Sequence, residues 1–378
     1  MARADIYCVK GPYQVELTLY RDETGFSVLR DQWNDLLRRS RFDTVFLAWE
    51  WQTAWWQYVG AARGPLYLLA ARDNGRTVGI LPLYLAGEMP ERSLQVIGCI
   101  EVADYLDLIV ESGWEDRVYS AFLDWLAGPE APEWDILDLC NQPAASLAHQ
   151  RLPAMAEAAG WVADVFQEDV CPIAALPTQG SQGDNGDGWE RYLAGLDKKE
   201  RHEIRRKLRR VERELPDCRF YAVSGPEGVC EAMDTFIALH RLSSKAKDAF
   251  MTDEMVAFFR ALASTAASEG WLKLFFLEAE GRPVASYFCF DYRGEILVYN
   301  SGYDPQAYPQ LSFGWVLMAK IIQYAIAEGR SRVDFLQGDE DYKHRFGGVD
   351  TPVYRTLIRK AEPPARGQNP VARIQKTE

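Results

Sequence analysis

The chain has 378 residues, 48% of them hydrophobic and 26% charged, and a formal net charge of −13. That length can hold two ordinary domains with cores of their own, and the composition excludes a disordered chain. The acidic balance speaks against general nucleic-acid affinity, because neutralising phosphates needs a basic surface.

No apolar run approaches the roughly eighteen residues that a membrane span needs, and the first residues lack the apolar core of a secretory signal. Seven cysteines are scattered singly, with no Cys-x-x-Cys pair. Cys99, Cys140, Cys171 and Cys289 lie in or beside strand-like segments, where buried free thiols are the expectation. A cytoplasmic protein is expected.

Residues 13–20 alternate in strand fashion, and a helix follows over 27–39 with Phe26, Leu29, Trp33, Leu36 and Leu37 at helical spacing. The cluster Phe46, Trp49, Trp51, Trp55, Trp56 and Tyr58 belongs to a second helix and reads as core packing before ligand stacking. Strands 66–71 and 78–85 form a hairpin around Asn74 and Gly75. Strands at 94–99 and 106–110, a helix at 115–126, a strand at 136–139, a helix at 144–159 and a strand pair over 161–176 complete the first half. Residues 177–188 form a linker by composition, rich in glycine and nearly free of apolar side chains.

The order then begins again. A basic helix over 189–215 leads to a strand at 218–223, helices at 227–242 and 252–269, and a hairpin of 272–278 with 284–292. Strand 296–301, a helix over 312–328 stopped by Gly329, a short strand at Asp334, a short polar helix and a strand at 354–359 follow. A crossover helix between two strands implies a mixed α/β sheet with a parallel step. Ligands on such sheets bind near the carboxyl ends of parallel strands, which points to the loop 301–314 and the turn 337–343 as the active site.

Four stretches carry a resemblance: LDKKERHEIRRK at 196–207, FIALH at 236–240, YNSGYD at 299–304 and DFLQGDEDYK at 334–343. In this order they resemble the FemAB-like branch of the GNAT N-acyltransferases, and within it the CelD (BcsL)-type, BioF2-like acetyltransferases. The resemblance implies tandem acyltransferase-like α/β domains around a cleft. With the composition of the linker and of the last residues, the chain is expected to divide into a domain at 1–180, a linker at 181–188, a second domain at 189–361 and a disordered tail at 362–378. It further implies transfer of an acyl group from acetyl-CoA or another acyl-CoA to an amine or hydroxyl of a small molecule or sugar, in cell-envelope or exopolysaccharide metabolism. A Fem-type ligase using aminoacyl-tRNA, or a binding module that kept the fold without the chemistry, are the alternatives.

Breaking a thioester requires a cradle for the donor's phosphates and an acid for the departing thiolate. Backbone N–H groups where a loop enters a helix make such a cradle, which selects Gln310, Ser312, Phe313 and Gly314. The family pattern Gln/Arg-x-x-Gly-x-Gly/Ala keeps only Gly314 here, with Ser312 and Pro309 replacing the first glycine and the Gln/Arg. The plainer reading makes Ser312 an ordinary helix cap. By the resemblance Tyr342 stands where a tyrosine acid is often found, although half-buried packing would also account for it.

Tyr303 and Lys343 are candidate substrate contacts. Asp334 lies in a strand that should be buried, so it needs a partner; it either orients Arg201 or Lys343 or acts as a base. On the basic helix, Ile204, Leu208, Val211 and Leu215 form the apolar stripe. Arg201 and Arg205 border it as a possible anion clamp, at about 100° per residue. His240 is the candidate base of neutral pKa, against the reading as a core histidine. His149, His202 and the cysteines show no metal-ligand spacing, so no metal is expected.

Overall fold

A computed structural model of the chain describes residues 4–7, 15–98, 102–177 and 188–360. The first half runs β1 (Ala4–Tyr7), β2 (Glu16–Tyr20), α1 (Thr24–Arg39), α2 (Trp49–Tyr58), β3 (Leu66–Asp73), β4 (Arg76–Ala86), β5 (Ser93–Val96) and β6 (Ile109–Val110). It continues through α3 (Glu115–Ala127), β7 (Ile136–Pro143), α4 (Ala148–Ala158) and β8 (Trp161–Ala175).

The second half opens with α5 (Gly188–Gly195), α6 (Lys198–Glu214), β9 (Arg219–Val223), α7 (Val229–Ser243), α8 (Lys245–Phe250) and α9 (Asp253–Ser268). Then come β10 (Leu272–Ala279), β11 (Arg282–Tyr292), β12 (Glu295–Tyr303), α10 (Phe313–Ala327), β13 (Arg332–Asp334), α11 (Asp341–Arg345) and β14 (Val349–Lys360).

Local chemistry explains most boundaries. Asn74 and Gly75 both take positive φ in the β3–β4 turn, the twist that a two-residue hairpin needs. Gly329, at φ +68, ends α10, and Arg330 donates back to the carbonyl of Ala325. The tryptophan-rich segment is core, as its composition suggested: Trp51 and Trp55 are sealed from solvent beside Trp33.

The strand order repeats. In each half an antiparallel meander meets its next strand in parallel after a helical crossover, β5 with β7 and β12 with β13. The tandem halves do not carry separate sheets. All fourteen strands form one sheet, in the order β1-β2-β3-β4-β5-β7-β14-β8-β13-β12-β11-β10-β9 with β6 beside β4. The halves exchange their last strands: β8 pairs with β13 of the second half, β14 pairs with β7 of the first, and β8 and β14 pair with each other.

Other expectations need smaller corrections. Residues 161–175 make one long strand, because their partner is β14 and not a local hairpin. The basic helix breaks at Leu196 and Asp197 into α5 and α6. Only Ile109 and Val110 of the segment 106–110 are strand. Cys171 and Cys289 are buried free thiols, but Cys140 is disulfide-bonded. Cys99, most of the linker and the tail lie outside the described residues.

In the second half, alternate residues of the sheet face two cores. Leu272, Leu274 and Phe276 point toward α7 and α9, while Phe275 and Leu277 point toward α6 and α10. The site described next lies on the α6–α10 side.

Candidate active site

The site begins where two parallel strands separate. β12 and β13 pair over three residues only, from Glu295 with Arg332 to Leu297 with Asp334. Beyond that, β12 runs on to Tyr303 against β11 alone, with a register shift at Phe288 and Cys289 that leaves Tyr299 as the extra residue of a bulge. After Asp334 the chain turns away through Leu336 at φ +58 and Gly338 at φ +113. A cavity of about 500 Å³ opens at this end, between β11 and β12, the loop 303–312, the start of α10 and Tyr342.

The start of α10 is a bare helix terminus. Ser312 makes no side-chain capping bond, which corrects its reading as an ordinary cap. Its φ of +54 is the left-handed conformation for which the family pattern uses glycine, and here the serine adopts it. A side-chain carbon added at Gly314 would meet nothing within 4 Å. Ser312, Phe313 and Gly314 all line the cavity, so unsatisfied N–H groups and the positive end of a fifteen-residue helix face it. Gln310 does not line it; its carbonyl accepts Arg210 at 3.2 Å on the outer side.

Phenols make up much of the remaining wall. Tyr342 borders the cavity, and among the described residues its hydroxyl has no hydrogen-bond partner. Burial pushes this phenol up, with the Glu340 carboxylate adding to the shift. Tyr303 lines the mouth and is exposed. Sequence reading missed Tyr287, whose register partner across β11 and β12 is Ser301, another wall residue. Period-two alternation along β11 places Tyr287 on the α10 face and is the signal that finds it.

Trp315 was missed too. Its ring lies 4.4 Å from the Lys207 ammonium and 4.5 Å from the Arg345 guanidinium, which pair in turn with Glu203 and Glu200.

The other expected site residues lie elsewhere. Lys343 is buried and donates to the carbonyls of Leu336, Gln337 and Gly338 at 3.0, 2.7 and 3.0 Å, so it holds a turn and is no substrate contact. Asp334 orients neither Arg201 nor Lys343. It accepts the Tyr105 hydroxyl at 2.9 Å and the Leu336 N–H at 2.8 Å, and burial raises it to about 6. Asp104 of the first half accepts the N–H of Gln337 at 3.1 Å and is raised by burial to about 7. These carboxylates fasten the turn below the cavity.

Arg201 donates to the carbonyl of Ala194 at 3.2 Å, capping the end of α5, and Arg205 pairs with Glu190. Neither lines the cavity, because the break before α6 brings α5 against them. Ile204, Leu208 and Val211 pack inward as expected.

His240 lies on α7, across the sheet from the cavity. A side chain at Gly302 would collide with the backbone of Leu239 and His240, so that glycine lets α7 rest on β12. The His240 ring is sealed from solvent with Nε2 3.0 Å from the Asn300 amide oxygen, and burial lowers it to about 4. It is a core histidine.

One trio, Asp339, His344 and Asp350, has metal-binding residue types within 4.8 Å of one another. Both His344 nitrogens face oxygens, of Asp339 at 2.8 Å and of Gly348 at 3.4 Å, which suits an imidazolium better than a ligand with a free lone pair.

At the corresponding place in the first half the described residues leave little open space. At the start of α3, the counterpart of α10, Glu115 fills the space: it accepts the N–H of Gly113 at 2.7 Å and pairs with Arg41 at 3.0 Å. Asp107 is buried beside it, and about 10 Å³ remains open. An anionic ligand would meet two carboxylates there.

Comparison with known proteins agrees with this asymmetry. Residues 198–344, which include part of the cavity wall, match the family model described as an acetyltransferase (GNAT) domain. No curated protein matches the sequence. Among solved structures, FemX is similar over 86% of this chain and 95% of its own, with a TM-score of 0.59 at 10% identity. A conserved protein of unknown function from Bacteroides thetaiotaomicron covers 88% and 97%, with a TM-score of 0.56 at 13% identity. The C-terminal domain of a putative lysylphosphatidylglycerol synthetase from Agrobacterium fabrum covers 88% and 92%, with 0.51 at 12%. At these identities the likeness is one of fold.

Proposed function

We propose that the protein transfers an acyl group from acetyl-CoA or another acyl-CoA to an amine or hydroxyl of a small molecule or sugar. The observation that carries this reading is the uncapped start of α10 opening into a cavity that also receives the free Tyr342 phenol. Backbone N–H groups of residues 313–315 suit the donor's phosphates. The acceptor nitrogen or oxygen attacks the thioester carbon and gives up its proton to water, the new bond forms as the carbon–sulfur bond breaks, and the thiolate takes the Tyr342 proton, which solvent then returns to the phenolate. A phenol held neutral by burial keeps that proton available, and a thiolate leaving into the same dry wall becomes more basic with it.

The CelD-type resemblance supports an acceptor in cell-envelope or exopolysaccharide metabolism and a place in the cytoplasm. Among the described residues no helix is long and apolar enough to cross a membrane. The reading with aminoacyl-tRNA is less well supported. Arg205, Arg206 and Arg210 of the basic helix are paired with Glu190, Glu203 and Glu214, which leaves less positive surface for phosphates.

Thermal unfolding with acetyl-CoA, free CoA and tRNA tests the donor. Stabilisation of about 2.7 kcal/mol is expected at a hundredfold excess over the CoA dissociation constant, and silence from both CoA species overturns the reading. Mass spectrometry of products from a panel of amino sugars identifies the acceptor. In Tyr342→Phe turnover should fall about a hundredfold with donor binding retained; unchanged turnover assigns the tyrosine to packing.

A further inference from the structure

A second cavity, of about 490 Å³, lies between α1 and α2 of the first half and α9 of the second. Its wall carries the rings of Phe26, Trp49, Trp56 and Tyr58 together with the carboxylates of Glu23 and Glu50. Glu50 is the telling residue. It is only 8% exposed, and one oxygen accepts the Asn34 amide at 2.8 Å. No lysine or arginine pairs with it among the described residues. Its place in the first turn of α2 offsets part of the cost of burying the charge, but a carboxylate removed from water still calls for a cation.

The rings supply a surface of the right kind. Aromatic faces attract cations through their quadrupole, and here one of them already does so: the Arg30 guanidinium lies 4.4 Å from the Trp49 centroid. Trp49 is fixed by its Nε1 bond to the Phe26 carbonyl at 2.8 Å, and its backbone N–H bonds Asn34, the residue that also holds Glu50. One asparagine therefore sets both the ring and the carboxylate. The net charge of −13 favours the approach of a cation.

We propose that this cavity binds a small organic cation, an alkylammonium or quaternary ammonium group, with Glu50 as counter-ion and Trp49 and Trp56 as its aromatic wall. The site is separate from the donor cavity and needs no turnover to be seen. Isothermal titration of the full chain at low salt should show choline binding. Its neutral isostere, 3,3-dimethyl-1-butanol, should bind at least ~tenfold more weakly, a difference of about 1.4 kcal/mol.

Glu50→Gln keeps an acceptor for Asn34 and removes the charge, so choline affinity should fall by a similar factor with the melting temperature retained. If that variant does not fold, Tyr58→Leu, at a partly exposed position of the wall, replaces it and should weaken choline binding. Equal affinity for choline and the neutral isostere overturns the proposal, as does undiminished binding in the variant used. No binding of choline, tetramethylammonium or 1,5-diaminopentane to the wild type overturns it as well.

Discussion

Lys343→Met separates what the structure says of this lysine from what its place in the sequence suggested. The ammonium is buried and donates to three successive carbonyls, at Leu336, Gln337 and Gly338, while pairing with Glu340 at 2.8 Å. The N–H groups of the same three residues go to Asp334, Asp104 and the carbonyl of Val170. Every polar group of the turn thus has a partner, and methionine can replace none of the lysine's bonds.

A hydrogen bond from a charged donor contributes about 1.5–3 kcal/mol, and three that share one ammonium do not add fully. A loss of about 4 kcal/mol follows. For roughly 350 ordered residues the unfolding entropy is about 0.7 kcal/mol/K, so calorimetry should find melting lowered by about 6 °C. A variant that melts within about 1 °C of the wild type but no longer transfers an acyl group would refute this reasoning and return Lys343 to the substrate.

Two buried groups should give opposite pH dependences of stability. His240 falls from 6.5 to about 4 on folding, so its neutral form is favoured, and stability is lost as pH drops from 6.5 toward 4. His240→Gln should therefore remove a loss of about 3 kcal/mol across that window in denaturant titrations; an unchanged difference between pH 7 and pH 4 refutes the burial argument. Asp334 rises from 3.8 to about 6, so its contribution is full below 3.8 and is lost as pH rises through 6. Asp334→Asn should flatten that stretch by about 3 kcal/mol relative to the wild type, and a steeper loss above pH 6 would show that the carboxylate is needed ionised.

Much of the fold was legible because local rules decided it. The hairpin at Asn74 and Gly75, the stop at Gly329 and the stripe of Ile204, Leu208 and Val211 each follow from a few neighbouring residues. The exchange of β8 and β14 was not legible, because strand pairing depends on partners more than a hundred residues away. A run such as 161–175 reads equally well as a hairpin or as one strand. At the site, the loop–helix junction was visible from position, and Tyr342 from the family resemblance. Lys343 was misread for a physical reason: a lysine in a short polar helix is ordinarily solvated, and nothing local announces that three carbonyls turn inward to meet it. His240 depends on a strand sixty residues away, and Arg201 on a helix break at Leu196 and Asp197 that the continuous basic pattern conceals.

The strand exchange also bears on what the first half does for the cavity of the second. β13 has three residues and joins β12 along one edge; its other edge is covered by β8, which belongs to the first half. The turn that follows is held by Asp104 and Tyr105, and the bulged Tyr299 donates to the carbonyl of Val102 at 2.8 Å. Each of these contacts lies behind the fork where the cavity opens. Removing the first half would leave a three-residue edge strand, an uncapped turn and β14 without either of its neighbours. The second half therefore relies on the first to keep the geometry of its cavity, because β8, Asp104, Tyr105 and Val102 brace the fork from behind.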